Sequence, residues 1–236
     1  MSGESTSHVP HLDMRSGGLR AAVFGVSDGL VSNLSLVLGT SGAHPGGGFV
    51  RLAGLAGLLG GSFSMAAGEY VSMRGQREGL ERQLDLERDE LASVPDSEQR
   101  ELEMIYERRG VSPEVAAAVA RELMADPQTA LDTHAREELG IDPNALGSPL
   151  QAGAASFVTF GIGAFVPMAA FLGGSSGNGA LFVSIGSAGA LALVVGALLS
   201  IFTGRSWSWS GIRSLLICAV AGAVTYAIGS AIGASG

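Results

Sequence analysis

Lysine is missing from this 236-residue chain, so all of its basic charge comes from 14 arginines. Cysteine occurs once, as Cys218 inside an apolar stretch, which excludes an intramolecular disulfide framework and a cysteine-built zinc site. Charged side chains are only 15% of the residues, and the net charge of −8 argues against a nucleic-acid partner, because phosphates select for basic surfaces. No ATP-binding motif occurs, so neither a nucleotide-driven step nor a nucleotide cofactor is expected. A ferritin-like di-iron centre would need Glu-x-x-His pairs. There are none: Leu131 stands three residues before His134, the one histidine of the polar middle segment. Met1 to Gly18 has no leader-like apolar core and reads as a disordered polar tail. No catalytic constellation stands out, and no enzymatic activity is expected.

What the chain does have is 47% hydrophobic side chains and 36 glycines, the make-up of a polytopic membrane protein with one polar insert. Residues 75–147 hold 18 acids against 8 arginines, a net charge of −10, and the remainder holds 4 acids against 6 arginines, or +2. Apolar segments at about 19–40, 50–73, 150–172, 180–203 and 212–232 are each long enough to cross about 30 Å of hydrocarbon. The third is interrupted by Pro167. The reading is an all-α fold: transmembrane helices one and two over residues 19–74, an acidic helical domain over 75–147, and transmembrane helices three to five over 148–236. Within the acidic domain the second span continues as a rod, Asp96 caps a helix ending before Gly110, Ser112 and Pro113 start another, and Asp126 and Pro127 start a fourth. Arg15, Arg20, Arg74, Arg77, Arg205 and Arg213 flank one side of the spans and only Arg51 the other, which makes the N-terminus and the acidic domain cytoplasmic. Arginine-only basic charge with abundant glycine and alanine points to a GC-rich prokaryotic genome, hence to a plasma membrane as host.

Only two acids lie within the five spans, Asp28 and Glu69. An ionisable residue at mid-membrane costs about 2.5 to 3.5 kcal/mol on insertion scales, so it faces a bundle interior or a water-filled path. Met65, Glu69 and Met73 follow one another at i, i+4 steps, which brings two thioethers and a carboxylate to one side of span two. Thioether beside carboxylate suits first-row transition metals such as Fe²⁺. The plain alternative is a snorkelling Glu69 and two ordinary core methionines. Ala53, Gly57 and Gly61 form a small-xxx-small row that admits another backbone. In the acidic domain Glu87 with Glu90, Glu98 with Glu101, and His134 with Glu138 each present two ligands on one helix face. Three such faces could converge on one or several divalent ions; the competing reading is a solvated acidic surface, since acids are plentiful here.

The strings VSDGLVSNLSLV of span one and MAAGEYVS of span two, with the Glu-rich insert behind them, resemble the vacuolar iron transporter family over nearly the whole chain from Gly18 onward. The resemblance implies a five-helix homodimer whose ion path lies between protomers, lined by helices one and two. Asp28 and Met65 match path positions and Glu69 falls in the matching GEY string. It also implies metal ligation by glutamates at the spacings of Glu87, Glu90, Glu98, Glu101 and Glu138. His134 stands where iron-transporting relatives commonly have methionine, which leaves ion preference open. The expected activity is export of a divalent metal, Fe²⁺ first, from the cytoplasm in exchange for protons. The partners are then the second protomer, lipid, protons and the metal ions themselves, with no separate cofactor. The rivals are a Mn²⁺, Co²⁺ or Zn²⁺ carrier of the same build and a membrane-anchored iron store or sensor.

Overall fold

The computed structural model describes residues 17–44, 46–173 and 177–235; most of the N-terminal tail lies outside these. Among the described residues all regular structure is helical: α1 (Gly17–Gly42), α2 (Gly47–Ser93), α3 (Pro95–Arg108), α4 (Pro113–Leu123), α5 (Pro127–Glu137), α6 (Pro149–Leu172), α7 (Asn178–Thr203) and α8 (Trp207–Gly233), with one 3-10 turn at Pro143–Ala145. Five of these, α1, α2, α6, α7 and α8, are long and apolar enough to cross a membrane. The chain divides into two compact units, Ser72–Ser148 and the segments before and after it.

In the first unit α1 packs against α6, α7 and α8. Lipid tails are as apolar as leucine, so helices in a bilayer are held by close backbone approach rather than by escape from water. Glycine makes that approach possible at the α1–α6 crossing, where a Cβ on Gly29 would meet the Phe160 carbonyl and one on Gly163 would meet the carbonyl of Val26. Leu30, Leu34 and Leu38 fill the space between α1 and the Ala188, Ala192 and Cys218 side chains of α7 and α8. Large apolar residues such as Phe63, Phe182, Val220 and Ile232 point outward instead, as a lipid-facing surface requires.

Two features differ from the sequence reading. Gly57 and Gly61, whose row was expected to receive another backbone, face side chains of their own chain: Asn33 and Leu36 lie over Gly57, and the Phe160 ring lies over Gly61. The interruption at Pro167 does not occur either; α6 runs through it. A proline removes one backbone donor from the ladder, and donors from neighbouring helices are supplied around it. Asn33 Nδ2 donates to the Ala164 carbonyl at 2.6 Å, and Ser184 Oγ donates to the Pro167 carbonyl at 2.6 Å. Neither acceptor is the Gly163 carbonyl, the one the missing proline N–H would have served; the two bonds instead tie the proline turn to α1 and α7.

The second unit is built from the end of α2 with α3, α4 and α5. Its short helices each start with proline at a first-turn position, where a missing N–H costs nothing. Asp126 caps α5 by accepting from the Thr129 amide at 2.8 Å. Asp96 does not cap α3: Val94 holds the N-cap position ahead of Pro95, and Asp96 falls in the first turn, where its charge favours the helix dipole. Gly110, at φ +92°, ends α3 in the left-handed conformation that glycine adopts without strain. Leu84, Leu102, Ile105, Ala116, Ala120, Ala130, Leu131 and Ala135 form the buried interior.

Candidate functional site

The interior of the second unit is not wholly apolar. On α3, Glu98 shares an i, i+4, i+7 stripe with Leu102 and Ile105; on α2, Glu87 lies one turn after Leu84; on α5, His134 sits among Ala130, Leu131 and Ala135, and all of these are buried. Each polar residue thus takes a position where the helix would ordinarily place a core side chain. Helix packing brings them together with Glu138 at the C-terminal end of α5, and one ligand atom from each of Glu87, Glu98, His134 and Glu138 lies within 4.8 Å of the others. His134 Nδ1 faces Glu87 at 3.2 Å, Glu138 at 3.5 Å and Glu98 at 4.0 Å. His134 is 0% exposed, Glu87 3% and Glu98 7%. Glu138 remains open to solvent.

Three carboxylates this close repel one another by roughly 4 kcal/mol per pair at 4 Å and an effective dielectric of 20. Burial first, then the charges of Glu138, Glu98, Glu90 and Glu101, push Glu87 up to about 7, which favours a proton there. Glu98 is also raised, chiefly by burial, with His134 pulling the other way. A divalent cation would replace that proton, and three carboxylates with one imidazole are a donor set that suits first-row transition metals. Glu90 is exposed and Glu101 half-buried, and neither belongs to the four-residue group, although both charges are felt by Glu87. Surface acids are handled differently. Glu78, Glu81 and Asp85 pair with Arg74, Arg77 and Arg88 on the same helix, and Glu137 pairs with Arg109.

The first unit has its own polar concavity, of about 390 Å³, lined by Asp28, Ser32, Asn33 and Leu36 of α1, Gly57, Gly61, Ser64 and Met65 of α2, and Phe160 of α6. Its carboxylate is oriented by Ser32, whose Oγ donates to Asp28 Oδ1 at 2.9 Å. Of the four path residues named from sequence, Asp28 and Met65 share this cavity, while Glu69 and Met73 are not among its lining residues. Glu69 is half-buried in the first unit, and Met73 belongs to the second, where its Cε lies against Gly147. Ser64, Asn33 and Phe160 are cavity residues that the ligand-ladder reading passes over. Asn33 carries a legible signal, an amide in the middle of an apolar span.

Five membrane-length helices, a carboxylate-bearing cavity lined by α1, α2 and α6, and a group of three glutamates and a histidine gathered in a helical insert define a polytopic helical membrane protein with side chains that could hold cations. The profile of the VIT family matches residues 19–230. A vacuolar iron transporter of Acanthamoeba castellanii is 36% identical over 223 residues, covering 91% of this chain and 78% of the relative. Vacuolar iron transporter 1 of Oryza sativa subsp. japonica is 30% identical over 97% of this chain and 91% of its own, and that of Tulipa gesneriana 31% over 91% and 87%. The chain belongs to the VIT family.

Proposed function

We propose that this protein transports divalent metal, Fe²⁺ first, out of the cytoplasm in exchange for protons, as a homodimer. The observation that carries the reading is Asp28 in a cavity shared with the Met65 thioether, within helices of spanning length. A carboxylate must give up its proton to take a metal, so one group serves both cargo and counter-ion. The names of the relatives, vacuolar iron transporters, support iron as cargo. Glu87, Glu98, His134 and Glu138 would collect the ion in a cytoplasmic unit, an orientation supported by Arg74, Arg77, Arg205 and Arg213 on that side. Glu69, Met73, Glu90 and Glu101 are assigned as flanking ligands of the path and the insert. The imidazole of His134 also favours Zn²⁺, which keeps a carrier of broader selectivity as the second reading.

Proteoliposome flux of Fe²⁺, Mn²⁺, Co²⁺ and Zn²⁺, with and without a pH gradient, tests this. Wild-type flux should follow the proton gradient, and Asp28→Ala should lose it while inserting normally, since a charge removed from a membrane helix relieves a desolvation cost. Undiminished flux in Asp28→Ala would remove the cavity from the path. Metal binding without flux in the wild type would mark a membrane-anchored store.

A further inference from the structure

We infer that the groove between α1, α7 and α8 is a binding site for one anionic phospholipid, its phosphate held by Arg213 and an acyl chain laid along the apolar wall behind it.

Arg213 lies about 9 Å along the axis of α8 from Trp207, the first residue of that helix, and about 6 Å beyond Trp209. Both tryptophans are exposed, the placement of an aromatic belt at headgroup level. Arg213 therefore stands on the hydrocarbon side of the belt. A charge at that depth needs a counter-ion or a route to water. The protein supplies no counter-ion. Among the described residues the arginine ion pairs are those of Arg74, Arg77, Arg88, Arg109 and Arg136. The acids of the spans, Asp28 and Glu69, do not line this groove. The Arg213 side chain is itself exposed, so a partner can reach it from the lipid.

The groove has the polarity of a phospholipid. It holds about 260 Å³ and lies wholly within the membrane unit. Ser27 of α1 and Arg213 and Ser214 of α8 supply its polar groups; Leu30, Val195 and Ile217 belong to its apolar wall. The two helices run parallel, since Gly222 packs on Leu34 and Leu38 and Gly233 on Ala43. Polar Ser27, Arg213 and Ser214 thus share one end, and about one turn deeper both helices turn apolar at Leu30 and Ile217. A recess of this volume does not seat another helix, whose diameter with side chains is about 10 to 12 Å. An acyl chain is slim enough. Headgroup charge selects further. Phosphatidylcholine carries its own ammonium beside the phosphate, whereas phosphatidylglycerol leaves its phosphate without one, and a guanidinium can grip that phosphate through two parallel hydrogen bonds.

The rival role for Arg213 is a topology signal, one of several positive charges at this membrane face. Arg205 separates the two roles: it is exposed, carries the same charge just ahead of α8 and does not line the groove. Full-length protein in neutral detergent is titrated with phosphatidylglycerol or phosphatidylcholine, and the lipid retained per chain is counted by native mass spectrometry. Wild type should hold phosphatidylglycerol at least about fivefold more tightly than phosphatidylcholine, the scale of one interfacial arginine. Arg213→Gln should erase that preference with phosphatidylcholine retention unchanged, and Arg205→Gln should keep it. Absence of a preference in the wild type, or equal losses in the two variants, overturns the inference. So does displacement of the lipid by excess inorganic phosphate, because the apolar wall would then contribute nothing.

Discussion

Glu98 occupies the register of a core leucine. Burial and the neighbouring acids oppose a charge at that position, and among the surrounding groups His134 alone favours it. Glu98→Leu should therefore raise the thermal midpoint of the metal-free protein, by an amount equivalent to roughly 1 to 3 kcal/mol, as when buried ionic groups are exchanged for apolar ones. The same variant should lose the midpoint gain that Fe²⁺ or Co²⁺ gives the wild type by ligand linkage. Asp85→Leu, at an acid paired with Arg88 on the surface, should leave that gain intact. Differential scanning fluorimetry in detergent, with and without metal, reads both. Glu87 gives the pH dependence. Its folded-state value lies near 7, above the ordinary 4.5, so its contribution to metal-free stability is complete below about 4.5 and is lost as pH climbs through 7. Metal must displace that proton, so apparent affinity measured by calorimetry should rise by up to about tenfold per pH unit below 7 and then level off. The spacing reading names Glu87, Glu98, His134 and Glu138, but gives Glu90 and Glu101 equal standing. Spacing reports which residues share a face; their phase against Leu84, Leu102 and Ile105 reports which face turns inward, and that phase is legible in the sequence once it is sought.

At the scale of elements, the α1–α6 crossing depends on atoms that are absent. Gly163→Ala places a methyl on the Val26 carbonyl, and backbone cannot swing aside as a side-chain tip can. Overpacking of this kind costs about 1 to 3 kcal/mol, so the thermal midpoint of the solubilised protein should drop. Gly186→Ala on α7, where a Cβ meets nothing within 4 Å, should leave it unchanged or slightly raised through helix propensity. Equal behaviour of the two variants would refute the role given to the crossing. The span count is readable from length and hydropathy because a bilayer fixes both. Partner choice is less readable: Gly57 and Gly61 announce close approach, yet only packing shows that Asn33, Leu36 and Phe160 use it. Pro167 likewise reads as a break until the donors from Asn33 and Ser184 are known, and both come from distant sequence.

For the molecule as a whole, the homodimer proposed above needs a contact surface other than Gly57 and Gly61, which Asn33, Leu36 and Phe160 of the same chain cover. Gly60 is exposed, with nothing within 4 Å of where a Cβ would stand, beside the outward Leu59 and Phe63. In a Cys218→Ala background, which removes the lone and buried native thiol, Gly60→Cys should yield disulfide-linked dimers in membranes. Gly61→Cys, covered by Phe160, should yield few. A strictly monomeric transporting species would end the dimer proposal. The insert's burial pattern, finally, decides how the protein meets ionic strength. Exposed charges separated by more than a Debye length, about 8 Å in physiological salt, are screened from one another, whereas buried groups are screened far less. An acidic skin would release its ions as sodium chloride rises. With Glu87, Glu98 and His134 withdrawn from solvent, metal affinity should hardly change between dilute buffer and half-molar salt, and the insert would go on choosing trace divalent metal among a large excess of monovalent ions.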